Sequence, residues 1–486
     1  MAVVLPCKPA TSSILIVSSL FFFYFLFVTY PCIRFPTVYV SRKRTEASTS
    51  LHHIVFGIAA SARSWPRRSD YVRLWWTPGL TRGFVFLDRL PDPFPKGDLP
   101  PIRISEDTSR FPYTFPRGLR SAIRVARIIE EIVRLDLPDV RWIVLGDDDT
   151  VFVPYNLALV LSKYDHKDWF YIGANSESVE QNLKYSFDMA FGGGGFAVSY
   201  PLARALANVL DSCLMRYAHL YGSDARVYSC LAELGVGLTR ELGFHQVDVR
   251  GDIFGMLSSH PLAPLISLHH LDNLEPVFPN MNHTQALEHL FKAIKVDPSQ
   301  ILQKTVCYDN LNSLTISVSW GYSVQVYEGN ILLPDLLPLQ KSFTPWKRGR
   351  DISSSQYMFN SREFPSNPCL HLATFFLERV FSDLTVTHSK YKRHNARNCL
   401  QTSSSRIKHK YVEVSSQKLV FDVKQAQRRH CCDVLKPSSR EHLRVHIREC
   451  KREELIFMHQ LHLITNEAYQ AFLEKPTMGC IEITFT

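Results

Sequence analysis

The sequence predicts an α/β fold in which a parallel sheet is flanked by helices, and three observations predict it. Short apolar runs alternate with helix-compatible stretches between residues 53 and 147, which is the β-α-β-α-β order of a parallel sheet. The third run stops at three consecutive carboxylates, Asp147, Asp148 and Asp149, at the strand end where open α/β sheets place their ligands. With 45% hydrophobic residues overall, the roughly 440 residues beyond the amino-terminal apolar run can bury one large domain, or one domain with an appendage.

Residues 53–60 have strand character, 65–76 are compatible with a helix, and 82–88 read as a second strand. Apolar residues recur at helical spacing over 119–135, and Val140 opens the strand that ends in the aspartates. A further strand is expected at 169–174. Gly192, Gly193, Gly194 and Gly195 then fall between apolar and aromatic residues, where backbone must turn tightly or approach a neighbour closely. Pro201 begins a helix running to about Leu214, as proline can at a first turn. A helix capped by Ser223 or Asp224 should close at Gly235. Residues 264–272 look like a strand, on which His269 and His270 would point to opposite faces.

Three adjacent carboxylates repel one another, and a divalent cation relieves that repulsion and can bridge them to a diphosphate. A solvated acidic turn is the plain alternative. At most one of the two histidines can face the aspartates, and carboxylate with imidazole suits manganese better than magnesium. An aspartate at a helix start most often caps it, so Asp224 has a structural reading beside a functional one.

The net charge of +9 is scattered and accompanies no nucleic-acid motif, so no nucleic-acid partner is expected. Nine of the eleven cysteines lie after residue 200. In a secretory lumen several would pair, with a connectivity the sequence does not give, and in the cytosol they would be ordinary thiols. Residues 14–33 are apolar over a length that crosses hydrocarbon, and 31–34 offer no small-residue cleavage site, so an uncleaved membrane anchor is expected. Lys8 precedes the run while Arg34, Arg42, Lys43 and Arg44 follow it, which favours a cytosolic body. The sequon at Asn282 could be used only in the lumen.

The stretch from Trp142 to Asp149, the glycine run ending Gly194-Gly195-Phe196, the Ser223-Asp224 helix start and His269-His270-Leu271-Asp272 resemble, in that order, motifs of the fringe-like β-1,3-glycosyltransferases. This resemblance covers about residues 50–345. The chain looks still more like a plant family of fringe-related proteins long described as of unknown function, through His430-Cys431-Cys432-Asp433 and Ile447 to Cys450.

The resemblance implies a GT-A-type, Rossmann-like mixed sheet flanked by helices, behind a type II anchor in the Golgi membrane. It implies a cytoplasmic tail at 1–13, the anchor at 14–33, a stem at 34–50, a catalytic domain at 51–345 and a Cys-containing extension at 346–486. A UDP-sugar donor, a glycan or glycoconjugate acceptor and Mn²⁺ or another divalent cation come with it. Carried over by position, Asp149 and His270 hold the metal, and Asp148 contacts the donor together with Asp147, Gly193, Gly194 and Arg63. Asp224 matches the proposed catalytic base, although the family has two adjacent aspartates there and this chain has one, followed by Ala225. The expected activity is inverting, metal-dependent sugar transfer, with β-1,3 linkage. Two other classes stand beside it: a glycan-binding or scaffold protein without turnover, and a metal-dependent phosphoesterase that hydrolyses nucleotide sugars.

Overall fold

The computed structural model describes residues 48–347, 355–365, 373–394, 407–419, 427–436, 439 and 441–457. The expected anchor and cytoplasmic tail, and the stem up to residue 47, lie outside the described residues. Among the described residues no helix is long and apolar enough to cross a membrane.

Seven strands form the first sheet: β1 Ile54–Ala59, β2 Arg82–Leu87, β3 Ile102–Ile104, β4 Trp142–Asp147, β5 Tyr171–Gly173, β6 Phe196–Ser199 and β7 Leu238–Arg240. Their spatial order is β3-β2-β1-β4-β6-β5-β7. All neighbours run parallel except β6, which is antiparallel to both β4 and β5. The sheet is therefore mixed, as the resemblance implies, with the strands of the β-α-β-α-β run forming its parallel part. Strand β1 pairs residue for residue with β4, with Ala59 opposite Asp147, so both end at one edge.

Both faces of this sheet are covered, which is why its central strands read as unbroken apolar runs. Residues alternate between two cores. Val55, Ile143 and Leu145 face the helices Tyr200–Arg216 and Ser223–Glu233, whereas Phe56, Trp142 and Val144 face a larger core. That larger core continues into a second sheet and the helix His283–Val296. The helical stretch predicted over 119–135 forms two short helices, Ser121–Ala126 and Ile128–Val133, meeting at Arg127. Arg127 is fully buried and paired with Glu106, Glu130 and Asp211, a demand of tertiary packing rather than of helical period.

The second sheet has eight strands: β8 Lys304–Asp309, β9 Leu314–Ser319, β10 Ser323–Glu328, β11 Ala373–Ser382, β12 Val386–Arg393, β13 Tyr411–Gln417, β14 Cys431–Leu435 and β15 His442–Arg448. Strand β10 pairs with β11, so the segment after residue 346 shares a sheet with 304–328. Adjacent Cys431 and Cys432 pair with different partners, Cys450 and Cys307, and Cys213 pairs with Cys230. Every cysteine among the described residues is in a disulfide. The 307–432 bridge closes a 125-residue separation across this sheet.

Candidate functional site

The site begins where β4 leaves the sheet. The Asp148 backbone N–H donates to Ala59 O at 3.0 Å, carrying the pairing with β1 one residue past the strand. Thr150 then closes the turn: its N–H donates to Asp147 O, its hydroxyl accepts from Asp147 N at 2.8 Å, and the same hydroxyl donates to Gly193 O at 2.7 Å. Phe152 supports the turn from beneath, buried against Phe56 and Trp75 at 5.4 and 5.3 Å between ring centroids. Truncating such a ring to alanine costs about 3–5 kcal/mol, so the acidic turn is held by core packing as well as hydrogen bonds.

The three aspartates do different things. Asp148 is buried and turns away from its neighbours, accepting from Ser64 Oγ at 2.5 Å and from the Arg68 guanidinium at 3.0 Å. Burial raises its carboxyl above the ordinary range, with Asp149 adding to the rise and Ser64 and Arg68 opposing it. Asp149 is also buried, 3.1 Å from Arg68 and 3.2 Å from His269 Nε2. Burial would raise it too, but His269 and Arg68 hold this carboxyl down at about 2. Asp147 stays 41% exposed at its side chain and lies 3.8 Å from His269 Nε2. Sinking of its carboxyl into the cleft, with Asp149 and Asp224 nearby, pushes it upward against the pull of His269.

The histidine that faces the aspartates is His269, whereas the resemblance had placed His270 there. The strand-like run is only two residues of strand, Ser267–Leu268, paired with Val151–Phe152. His270 has a left-handed backbone, φ 56°, so the alternation that would send the two side chains to opposite faces does not apply here, and the match by position in the resembled motif falls one residue late. Both rings fall on the same side, centroids 3.9 Å apart. His269 donates through Nδ1 to Gln246 O at 3.2 Å, which leaves Nε2 aimed at Asp149. Burial opposes its charge, yet Asp149 and Asp147 raise the imidazole to about 9. His270 instead lies 3.3 Å from Asp248 and stacks on Trp346 at 4.1 Å.

Two of the four consecutive glycines are explained by close approaches to the site. A Cβ on Gly193 would lie 2.1 Å from His269 Cε1, and one on Gly192 would lie 2.6 Å from Asp224 Oδ1. The turn at Gly192–Gly194 is thus a floor on which the histidine and Asp224 rest. Gly194 does not present its N–H to the cleft, because Gln246 Oε1 takes it at 2.7 Å. Asp224 is not a helix cap: the cap residue is Gly222, no side-chain cap bond forms, and Asp224 accepts from Ser223 Oγ at 2.9 Å. Asp147 and Asp224 line one cleft.

Arg63 is exposed in the turn before the helix Trp65–Trp75, and the basic residue of the site is Arg68, on that helix. Arg68 binds Asp148, Asp149 and, at 2.9 Å, Asp272. Tyr71 donates to the same Asp272 at 2.6 Å. Sequence reading missed this group. Its signal was the spacing of Ser64, Arg68 and Tyr71, four and three apart on one helical face.

Ligating atoms of Asp147, Asp149 and His269 lie within 4.8 Å of one another. Two carboxylates and an imidazole at that spacing fit a divalent cation, and Arg68 lies beside them as a fixed positive charge.

No curated protein matches the chain. A family described as "Protein of unknown function, DUF604" matches residues 181–432. That span holds the glycine floor, Asp224, both histidines and most of the second sheet, and begins after the aspartate triplet. It exceeds half of the 486 residues, and the chain belongs to this family of unknown function.

Proposed function

We propose that the protein is a metal-dependent, inverting glycosyltransferase of GT-A type, taking a sugar from a UDP-sugar to a glycan hydroxyl. The observation that carries the reading is the convergence of Asp147, Asp149 and His269 at the carboxyl ends of β1 and β4, with Asp224 across the glycine floor. A sheet of order β3-β2-β1-β4-β6-β5 with β6 reversed supports the fold assignment.

In this reading Asp147, Asp149 and His269 hold a divalent cation, manganese by ligand type, which when bound neutralises charge on the departing nucleoside diphosphate. Asp224 accepts the proton of the acceptor hydroxyl as that oxygen bonds to the anomeric carbon. The bond from that carbon to the diphosphate oxygen breaks, and the diphosphate leaves with the electron pair. Arg68 opposes the rise that burial imposes on Asp148, helps to hold Asp149 down and orients both, without touching the reacting atoms. Gln246 fixes the tautomer and direction of His269.

The test is nucleoside diphosphate release from a panel of nucleotide sugars by the purified full chain, with and without manganese and with and without oligosaccharide acceptors. Release that needs both manganese and an acceptor is expected. Equal release without acceptor would point to a hydrolase, and no release from any donor would leave the reading without an activity.

The same reading makes residues 14–33 a type II anchor with a Golgi-luminal body. Disulfides at all six described cysteines support an oxidising compartment. Protection of the body from protease in sealed microsomes is the expected result, and digestion without detergent would contradict it.

A further inference from the structure

A second concavity opens beside the cleft, and nothing above uses it. It is an open groove whose aromatic lining is Phe115, Tyr185, Tyr221 and Trp346. Tyr185 and Tyr221 lie nearly parallel, 28° apart with centroids at 6.1 Å, and Phe115 meets the Tyr221 ring edge-on at 5.2 Å. Lys184 Nζ is 4.8 Å from the Tyr185 centroid, and Glu180 and Gln181 present polar groups from the same short helix, Val179–Lys184.

The groove is tied to the candidate site at two points. Tyr221 stands three residues before Asp224, at the entry to the helix Ser223–Glu233. Trp346 stacks on His270 at 4.1 Å with 12° between planes, next to His269, and the Arg250 guanidinium lies 4.3 Å from the same ring. Large aromatic side chains left half exposed beside a cleft mark a binding surface, because burying them against solvent-free neighbours is the ordinary outcome of folding. Tyr221 keeps 42% of its surface exposed.

We propose that this groove is the acceptor subsite and takes a neutral oligosaccharide. The proposal rests on the transferase reading of the adjacent cleft. A sugar ring offers C–H groups on its faces and hydroxyls around its rim, which matches tyrosine faces bordered by an amide, a carboxylate and an ammonium. The charged residues of the lining, Glu180, Lys184 and Lys347, are of both signs, with no arginine among them. That mixture suits hydroxyl groups, whereas phosphate or an acidic chain would call for a cluster of one sign, with arginine the residue matched to it. The position is that required of an acceptor: a chain lying along Tyr185 and Tyr221 presents its end towards Asp224.

The experiment is binding of the full chain to an array of neutral and acidic oligosaccharides without nucleotide sugar, for wild type and for Tyr185→Ala, Tyr221→Ala and Gln181→Trp. Gln181→Trp fills the groove from a partly exposed helix position and covers the case in which an alanine variant fails to fold. Expected is binding to a class of neutral oligosaccharide, weakened by about tenfold or more in each variant. Tyr185→Phe and Tyr221→Phe, which keep the ring, retain most of it. Equal binding by wild type and the three groove variants, preference for acidic glycans, or no oligosaccharide bound at all overturns the proposal. The two readings fail separately. Groove-dependent binding without turnover on any donor sinks the transferase and keeps the subsite, and turnover indifferent to all three variants does the reverse.

Discussion

Gly193→Ala tests whether His269 belongs to the metal set. The added Cβ would lie 2.1, 2.4 and 2.5 Å from three atoms of the imidazole, where ordinary contact begins at 3.4 Å. Relief requires the ring or the backbone to move by about 1.3 Å, far beyond the ~0.2 Å tolerance of a ligand distance. The ring has little room to do so, held by Gln246 O and Asp149 at 3.2 Å each. Neither Gly192 nor Gly193 has a left-handed φ, so alanine tests the contact and not backbone strain. Manganese affinity, measured by calorimetry in the presence of UDP, should fall by about 10–100-fold. Overpacking should cost about 1–3 kcal/mol in thermal unfolding, leaving a folded protein in which binding can be measured. Gly192→Ala is the companion, since its Cβ meets Asp224 Oδ1 at 2.6 Å and no part of the histidine is among its nearest atoms. It should spare manganese binding. Wild-type manganese affinity in Gly193→Ala, with the fold intact, would remove His269 from the ligand set and the glycine floor from the account of the site.

Direct exchange of the histidines should agree: His269→Ala should abolish manganese-dependent UDP binding, His270→Ala should weaken it less, and the reverse order in calorimetry would restore His270 as ligand. Asp224→Asn should leave metal and donor affinity unchanged while cutting transfer by about 10²–10⁴-fold, the usual loss of a general base. Its melting temperature should hold, because Asp224 makes no cap bond, and full transfer activity in that variant would end its catalytic role. Lys304 is buried, its ammonium donating to Ser259 Oγ at 2.9 Å and to Leu336 O, and burial pushes it down from 10.5 to about 7. Between about pH 7 and 10 the unfolded chain therefore holds a proton that the folded one lacks, and stability rises with pH by about 1.4 kcal/mol per unit from this group. Urea titrations should show that slope in wild type and lose it in Lys304→Met, and equal slopes would mean that Lys304 is charged in the fold.

How far the sequence carried depends on how local each feature is. The first β-α-β-α-β run was legible because apolar period and strand length are written in consecutive residues, and β1, β2 and β4 fall where they were expected. The triplet was legible because a strand core gives no local reason to end in three acids. The histidine register was not: alternation left the two histidines open and position in the resembled motif chose His270, whereas the strand stops at Leu268 before a left-handed residue. Arg68 was passed over for Arg63 because closeness to the strand end in sequence stood in for the reach of a side chain one helical turn further on. The second sheet joins strands more than forty residues apart, β10 with β11, a pairing that no local period records. The same holds for Cys307 and Cys432.

Arg68 also explains how such an acidic turn can fold at all. Asp148 and Asp149 are 3% and 2% exposed, and carboxylates so placed require paired charge and hydrogen bonds. Arg68 supplies charge to both and to Asp272 and hydrogen bonds to Asp148 and Asp272, while Ser64 completes Asp148 and His269 completes Asp149. The helix that carries it is fastened to the same turn further along, through Trp75 Nε1 to Thr150 O at 3.2 Å. Helix packing and site geometry are therefore one unit. Removing one partner of a buried ion pair costs about 3–5 kcal/mol, so loss of activity in an Arg68 variant is by itself a statement about folding. Arg68→Lys keeps the charge and loses the fork that spans three carboxylates, since an ammonium is a point donor. Evidence that Arg68 touches a donor must come from a variant whose melting temperature is unchanged and whose UDP affinity is not. By this geometry Arg68→Lys does not meet that condition, because the contacts a donor would use are those that hold the turn together.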